Sequence, residues 1–473
     1  MKSIVLLLFF VLSFTGNQIF AQTPQKYTAD WESLGNHQAV PEWLRDAKFG
    51  IYTHWGVYSV PAYNNEHYYR TMHHSEGYSK HGTFQRHEAL YGSLDKFGYH
   101  DFIPMFKGEN FDAEEWADLY VKSGARFAGL VAEHHDGFAM WDSEYTPFNS
   151  NDMGPGKDVV GLLEKAIKKR DLKFFASLHH SFNYTALEIK DGWAAADPKY
   201  AKLYGSMMPR DEWLEMWLNK CNEVALKYHP DIMYFDAWLD DIPDDYIKKY
   251  LAYYFNESQL QGQEVAVTYK GEDLPQEVGM LDHENSNPDE IMEQPWLCDY
   301  SIGTGISYAW GYTDGMQIRT PKEIIHTLVD VVSKNGQMIL NLSPMCDGTI
   351  PQDQKNVMHR VGRWIWSHGE AIFETRPYGA PHEVTAEGLD VFYTKKDKTV
   401  YAIFYEWPGL NTPVQLKEIT SEKLGGEVKA VTLLGLKQLD DCTFEQSSDG
   451  LEFTIPKARI PDDLGIVFKI DFE

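Results

Sequence analysis

Short apolar runs and amphipathic stretches alternate along most of this chain. Eight segments read as strands: residues 47–54, 126–134, 172–180, 231–236, 264–269, 278–284, 306–310 and 337–343. Between most of them, apolar positions recur at helical spacing. The clearest case runs from about 211 to 229, where Trp213, Trp217, Cys221, Val224 and Tyr228 fall on one face. FDAEEWADLYVKSG predicts a helix with Asp112 as N-cap and Gly124 as C-cap, and KDVVGLLEKAIKKRD predicts another. TPKEIIHTLVDVVSKNG opens with a capping box, Thr320 to Glu323, and closes at Gly336. Strand, helix, strand repeated with short links implies a parallel sheet, and eight such units imply closure into a (β/α)8-like barrel. The link at 270–277 has no helical period, so the barrel is expected to be irregular.

Two stretches break the pattern. Residues 64–107 are rich in His, Tyr and Gly and follow the first strand, where a long insertion predicts a lid or subsite wall. Beyond about residue 375, TVYAIFYEW, EVKAVTLLG, LEFTIP and LGIVFKIDF are short strands parted by turn residues, which predicts an antiparallel β-sandwich. The start, MKSIVLLLFFVLSF, has a Lys, an apolar stretch too short to span a bilayer, and a plausible cut after Ala21. The expected organisation is a signal peptide over 1–21, a catalytic barrel over 22–374 and a β-sandwich over 375–473. The mature protein is expected to be exported, periplasmic or secreted, with no membrane span.

Charge narrows the function. A formal charge of −27 argues against nucleic acid, whose phosphates would be repelled. The content of 14 Trp and 28 Tyr suits carbohydrate handling, although large cores also use aromatics. Cys221, Cys298, Cys346 and Cys442 form no CxxC, so neither a disulfide framework nor a structural zinc site is expected. Sequons start at Asn183, Asn256 and Asn341, the last inside an expected buried strand.

The candidate chemistry sits where apolar strands stop. FGIYTHW ends in His54, GLVAEHHD in His134, His135 and Asp136, FFASLHHS in His179 and His180, and DIMYFDAW in Asp236. Polar groups at the end of a buried strand carry a desolvation cost unless they hold something. Several strands delivering such groups from one end is how a barrel builds an active site.

KFGIYTHWGVYSVPAYNNEHYY, HHDGFAMWDS, HPDIMYFDAW, SYAWGY and NGQMILNLSPMCDGTIP, in this order over about 41–375, together resemble the α-L-fucosidases of glycoside hydrolase family 29. That resemblance implies an exo-acting, retaining hydrolase acting on a fucosylated oligosaccharide or glycoconjugate, without cofactor or metal. Retention needs two carboxylates flanking one bond. The resemblance makes Asp236 the nucleophile. The acid/base falls in GMLDHENSNPDEIMEQPW, where Glu284, ending the sixth expected strand, is preferred over Asp282, Glu290 and Glu293. Glu290 and Glu293 are three apart, as on a solvated helix turn. His54, Glu66, His134 and His135 match positions that hydrogen-bond the sugar hydroxyls. Trp310 matches an aromatic against the C5 methyl, and Lys270 a cation near the nucleophile. Glu133, the LHHSFNY segment and His67 depart from the family's usual residues, which is expected to alter the pocket wall or leaving-group subsite.

Three other functions fit parts of this pattern. A metal hydrolase would use His54, His134, His135 and Asp136, but neighbouring His residues on a strand face opposite ways and no HExxH is present. A non-catalytic sugar-binding protein would have no need of Asp236. A related retaining glycosidase for galactose-configured substrates, β-D-galactosidase-like, shares much of the stereochemistry and is the nearest alternative.

Overall fold

The computed structural model describes residues 27–74, 81–304, 309–435, 442–455 and 463–473; the expected signal peptide lies outside them. Strands β1 (Phe49–Thr53), β2 (Phe127–Glu133), β3 (Lys173–Leu178), β4 (Ile232–Phe235), β5 (Ala266–Lys270), β6 (Met280–Asp282), β7 (Trp296–Ser301) and β8 (Gly336–Leu342) are parallel. They close into a barrel in the order β1-β8-β7-β6-β5-β4-β3-β2. Both faces of these strands are covered, which is why β2 reads FAGLVAE, a run buried throughout. Phe127, Val131, Phe175, Ile232, Met280, Leu297 and Ile339 fill the interior. Gly50 makes room for that filling, because a Cβ there would sit 2.2 Å from the Phe127 ring.

Helices α1 (Ala113–Lys122), α2 (Val159–Lys168), α3 (Arg210–Tyr228), α4 (Asp244–Leu260), α5 (Pro321–Ser333) and α6 (Gln352–His368) surround the barrel. The caps are as expected: Asp112 accepts from the amides of Glu114 and Glu115, and Thr320 and Glu323 form a capping box. α5 stops earlier than Gly336; Asn335 makes the left-handed turn with φ 71°, and Gly336 opens β8. No helix joins β5 to β6 or β6 to β7, so the barrel is irregular.

The seventh strand is not at 306–310. β7 is Trp296–Ser301, which pairs with β8 along its length and with β6 through Asp282 and Leu297. Leu297 faces the barrel interior while Trp296, Cys298 and Tyr300 pack in the outer core. Asp299 and Ser301 occupy the remaining inward positions, and these two polar residues interrupt the apolar run that would have marked the strand. Residues 305–308 lie outside the described residues.

From Arg376 the chain forms a six-stranded and a three-stranded antiparallel sheet. Phe404 and Phe468 of one sheet meet Phe453 of the other, so the two pack as a sandwich. Among the described residues Cys221, Cys298 and Cys346 are free, and no helix is long and apolar enough to cross a membrane.

Candidate active site

Side chains alternate along a strand, so the residue two places after an inward-facing one also points inward. That rule sets Asp236 above Tyr234, Lys270 above Thr268, Glu284 above Asp282, His54 above Tyr52 and Asn341 above Ile339. All stand at the carboxyl ends of their strands; Asp236, Lys270, Glu284 and His54 line a pocket of about 140 Å³, and Asn341 stands behind His54.

Asp236 lies at its centre. Lys270 Nζ is 3.0 Å from its Oδ1, and His135 Nε2 and His179 Nδ1 are each 3.3 Å from its Oδ2. Burial alone would push this carboxyl up. Burial is the largest single effect, but the Lys270 ammonium together with His179 and His135 outweighs it, and the group is held well below the usual carboxylate range. Lys270 also touches Glu284 and lies 3.7 Å from Asp282. Burial would lower its pKa, but the surrounding carboxylates, Asp236 first, hold it well above the ordinary lysine value. Asp236 is therefore ionised, and Lys270 is its fixed counter-charge.

The imidazoles of His54 and His134 are neutral, because burial and neighbouring histidines press them well below the usual value. Neutral rings can each donate and accept, as sugar hydroxyls require. Asn341 Oδ1 accepts from the His54 backbone N–H at 2.9 Å and from Nδ1 at 2.8 Å, which leaves Nε2 toward the pocket. Glu66 is buried, and its Oε2 accepts from the amides of Trp310 and Gly311 at 2.8 and 3.1 Å. Burial raises its pKa, partly offset by those amides. Trp310 stands 5.3 Å from the His54 ring and supplies an apolar wall.

Adjacent histidines were expected to face opposite ways, but His134 and His135 both line the pocket. The register of β2 against β3 shifts between Val131 and Glu133, and this bulge with the following turn brings both rings to one side. Asp136 turns away, accepting from Tyr99 Oη at 2.7 Å and from the amide of Phe138. Glu133 also points outward and meets Lys220 of α3 at 2.8 Å, so its departure from the family pattern does not alter the pocket wall. His180 packs against Trp217 and Cys221, outside the site.

The rivals for the acid/base separate in space. Glu284 lines the pocket with 41% of its side chain exposed. Asp282 is buried beneath it. The expected helix turn carrying Glu290 and Glu293 is absent. Asn335, just before β8, donates to the carbonyls of Met292 and Glu293, which fixes that segment at the amino ends of the strands, the opposite end of the barrel. Of the lining residues, Asp299 and Trp238 are not in the expected set, and Asn341 stands behind the pocket, holding His54. For Asn341 and Asp299 the signal is the period of two, along a strand that was expected for the first and missed for the second. Trp238 is 37% exposed at the rim, whereas Trp141 is fully buried and bonded to Glu223.

Among the described residues, two sets have ligand atoms close enough to hold a cation, His54–His134–His179 and His135–His179–Asp236, each within 4.8 Å. Beside Asp236, the Lys270 ammonium already supplies a positive charge. A wider cleft of about 660 Å³ lies at the other end of the barrel, near Arg126, Arg170 and Trp366, and contains none of these groups.

The chain is similar to known proteins over most of its length. The sequence profile described as Alpha-L-fucosidase matches residues 15–370, and that of the Alpha-L-fucosidase C-terminal domain matches 386–471. Human tissue alpha-L-fucosidase is 32% identical over 430 residues, covering 86% of each chain. The rat tissue enzyme is 31% identical, covering 92% of this chain and 89% of its own. Thermotoga maritima alpha-fucosidase in complex with a mechanism-based inhibitor superposes with a TM-score of 0.77 at 28% identity, covering 94% of this chain and 100% of that one. Its complex with fucose superposes with a TM-score of 0.74.

Proposed function

The chain belongs to the α-L-fucosidase family, and from that premise we propose that it removes terminal α-L-fucose from fucosylated glycans by a retaining double displacement. Its activity is that of an α-L-fucosidase, a glycoside hydrolase. Asp236 is the nucleophile and Glu284 the acid/base. Glu284 enters protonated and gives its proton to the glycosidic oxygen as Asp236 attacks the anomeric carbon. The resulting ester removes the charge from Asp236. Glu284, now a carboxylate, takes a proton from water, which attacks the same carbon and releases fucose with its configuration retained.

One contact carries this reading: a single ammonium, Lys270 Nζ, touches both carboxylates. Two acids bridged by one nitrogen stand no farther apart than two contact lengths. That suits the roughly 5–5.5 Å of a retaining pair and falls short of the roughly 6.5–9.5 Å of an inverting one. His54, Glu66, His134 and His135 hold the hydroxyls, and Trp310 faces the C5 methyl. The leader-like residues 1–21 support export. NMR of the first-formed sugar is the test: the released fucose is expected as the α-anomer, and a β-anomer would sink the mechanism.

A further inference from the structure

Beneath the pocket floor, two buried carboxylates face one hydroxyl. Tyr234 Oη lies 3.0 Å from Asp282 Oδ2 and 3.1 Å from Asp299 Oδ2. A phenol has one proton to give. If both carboxylates were ionised, one contact would set a phenol lone pair against a desolvated oxyanion, which is costly in a buried site. Both contacts are hydrogen bonds only when one carboxyl is protonated and donates into the Tyr234 oxygen.

The other partners show which one. Asp282 Oδ1 accepts the backbone N–H of Asp299 at 2.9 Å, and its Oδ2 lies 3.7 Å from the Lys270 ammonium. Asp299 Oδ1 accepts from Tyr52 Oη at 2.8 Å. Among the described residues, no cation makes a salt bridge to it. The charge therefore belongs on Asp282 and the proton on Asp299, in the chain Asp299 O–H to Tyr234 O–H to Asp282 carboxylate. Burial, with the neighbouring Asp282 charge, pushes Asp299 well above the usual range, and burial raises Asp282 to about 6 against the pull of Lys270. The pair titrates as a unit.

We propose that Asp282 and Asp299 hold one proton between them and thereby position the Lys270 ammonium between Asp236 and Glu284. This role rests on the double displacement above. The titratable groups facing the pair are Tyr52 from β1, His179 from β3, Tyr234 and Asp236 from β4, Lys270 from β5 and Glu284 after β6; the sequence of β8 has none. Of these, Lys270 is the group that competing charges can move. With one proton stored, the floor presents a single negative charge, and the ammonium stays 3.0 Å from Asp236. When the floor loses that proton at alkaline pH, a second charge draws the ammonium down and away from the nucleophile.

Asp299→Asn tests this, because the amide can accept from Tyr52 and donate to Tyr234 while never titrating. Asp282→Asn locks the same proton from the other side, and serves if the first variant does not fold. The first measurement is the infrared difference between Glu284→Gln and Glu284→Gln/Asp299→Asn at neutral pH, which needs no turnover. A protonated-carboxyl band present in the former and lost in the latter is expected; its absence overturns the shared proton. The second is the pH profile of kcat/KM on an aryl α-L-fucoside. In Asp299→Asn the alkaline limb should move up by about one pH unit or more, with the optimum rate within about tenfold of the parent. An unmoved limb overturns the positioning role. A β-anomer in the NMR test would instead sink the double displacement and leave the infrared result standing, so the two failures are told apart.

Discussion

Asp236 stays ionised in a buried site only because Lys270, His179 and His135 surround it. Both chemical steps pass through its carboxylate. Asp236→Ala should therefore lose at least about a thousandfold in kcat while still binding fucose, as calorimetry would show. Glu284→Ala should behave differently. Aryl fucosides with good leaving groups need no acid in the first step and should keep far more activity than natural glycans, and azide should rescue the second step as a fucosyl azide product. If Glu290→Ala shows that pattern and Glu284→Ala does not, the assignment falls, although Glu290 has no place in the pocket. Asp236 and the histidines were legible because a polar residue ending an apolar run is conspicuous. Asp299 was not, since it lies inside a strand whose apolar pattern it interrupts. Glu66 and Trp310 lie on loops with no period to read, and only the family resemblance pointed to them.

At the scale of elements, the end of β2 shows how packing places chemistry. Glu133 and Lys220 are each only 1% exposed and pair at 2.8 Å between the strand and α3. Burial raises the Glu133 pKa, offset by Lys220. This pair closes the outer side of the bulge that turns His134 and His135 inward. Lys220→Met should leave Glu133 charged or protonated without a partner and destabilise the protein by about 3–5 kcal/mol in urea unfolding. Adding Glu133→Gln should restore most of that loss, because a neutral pair leaves no buried charge. A double variant as unstable as Lys220→Met alone would show that Lys220 matters for packing rather than for charge. Helix ends were legible to within a few residues, because caps such as Asp112 and Thr320 satisfy backbone groups by local chemistry. The outward turn of Glu133 was not, because a bulge is set by strand pairing and leaves no period in the sequence.

Across the whole molecule, the barrel and the sandwich were legible from alternation and spacing, while the burial of so many histidines was not. That burial ties stability to pH. In the unfolded chain an imidazole takes up a proton near pH 6.5. In the fold, burial holds His67 and His73 down to about 3 and His37 and His326 to about 4, and drives His54, His134 and His180 well below the usual value. Below pH 6.5 the unfolded state therefore binds protons that the folded state refuses, and stability is lost as pH falls. For a ring as buried as His73 the loss reaches up to about 1.4 kcal/mol per pH unit. Some carboxyls act in the opposite sense. Burial raises Asp136, Asp273 and Asp282 to about 6 and Asp299 further, so the folded state binds protons first and gains stability as pH drops through 6. The imidazoles are the larger group, and their window, from 6.5 down to 3 or 4, spans that of Asp136, Asp273 and Asp282. Unfolding at pH 6 should then take up protons, and Tm should be lower at pH 5 than at pH 7. Calorimetry in two buffers of different ionisation enthalpy measures that uptake directly. Net proton release at pH 6 would mean that the buried carboxyls, not the histidines, set the acid stability of this protein.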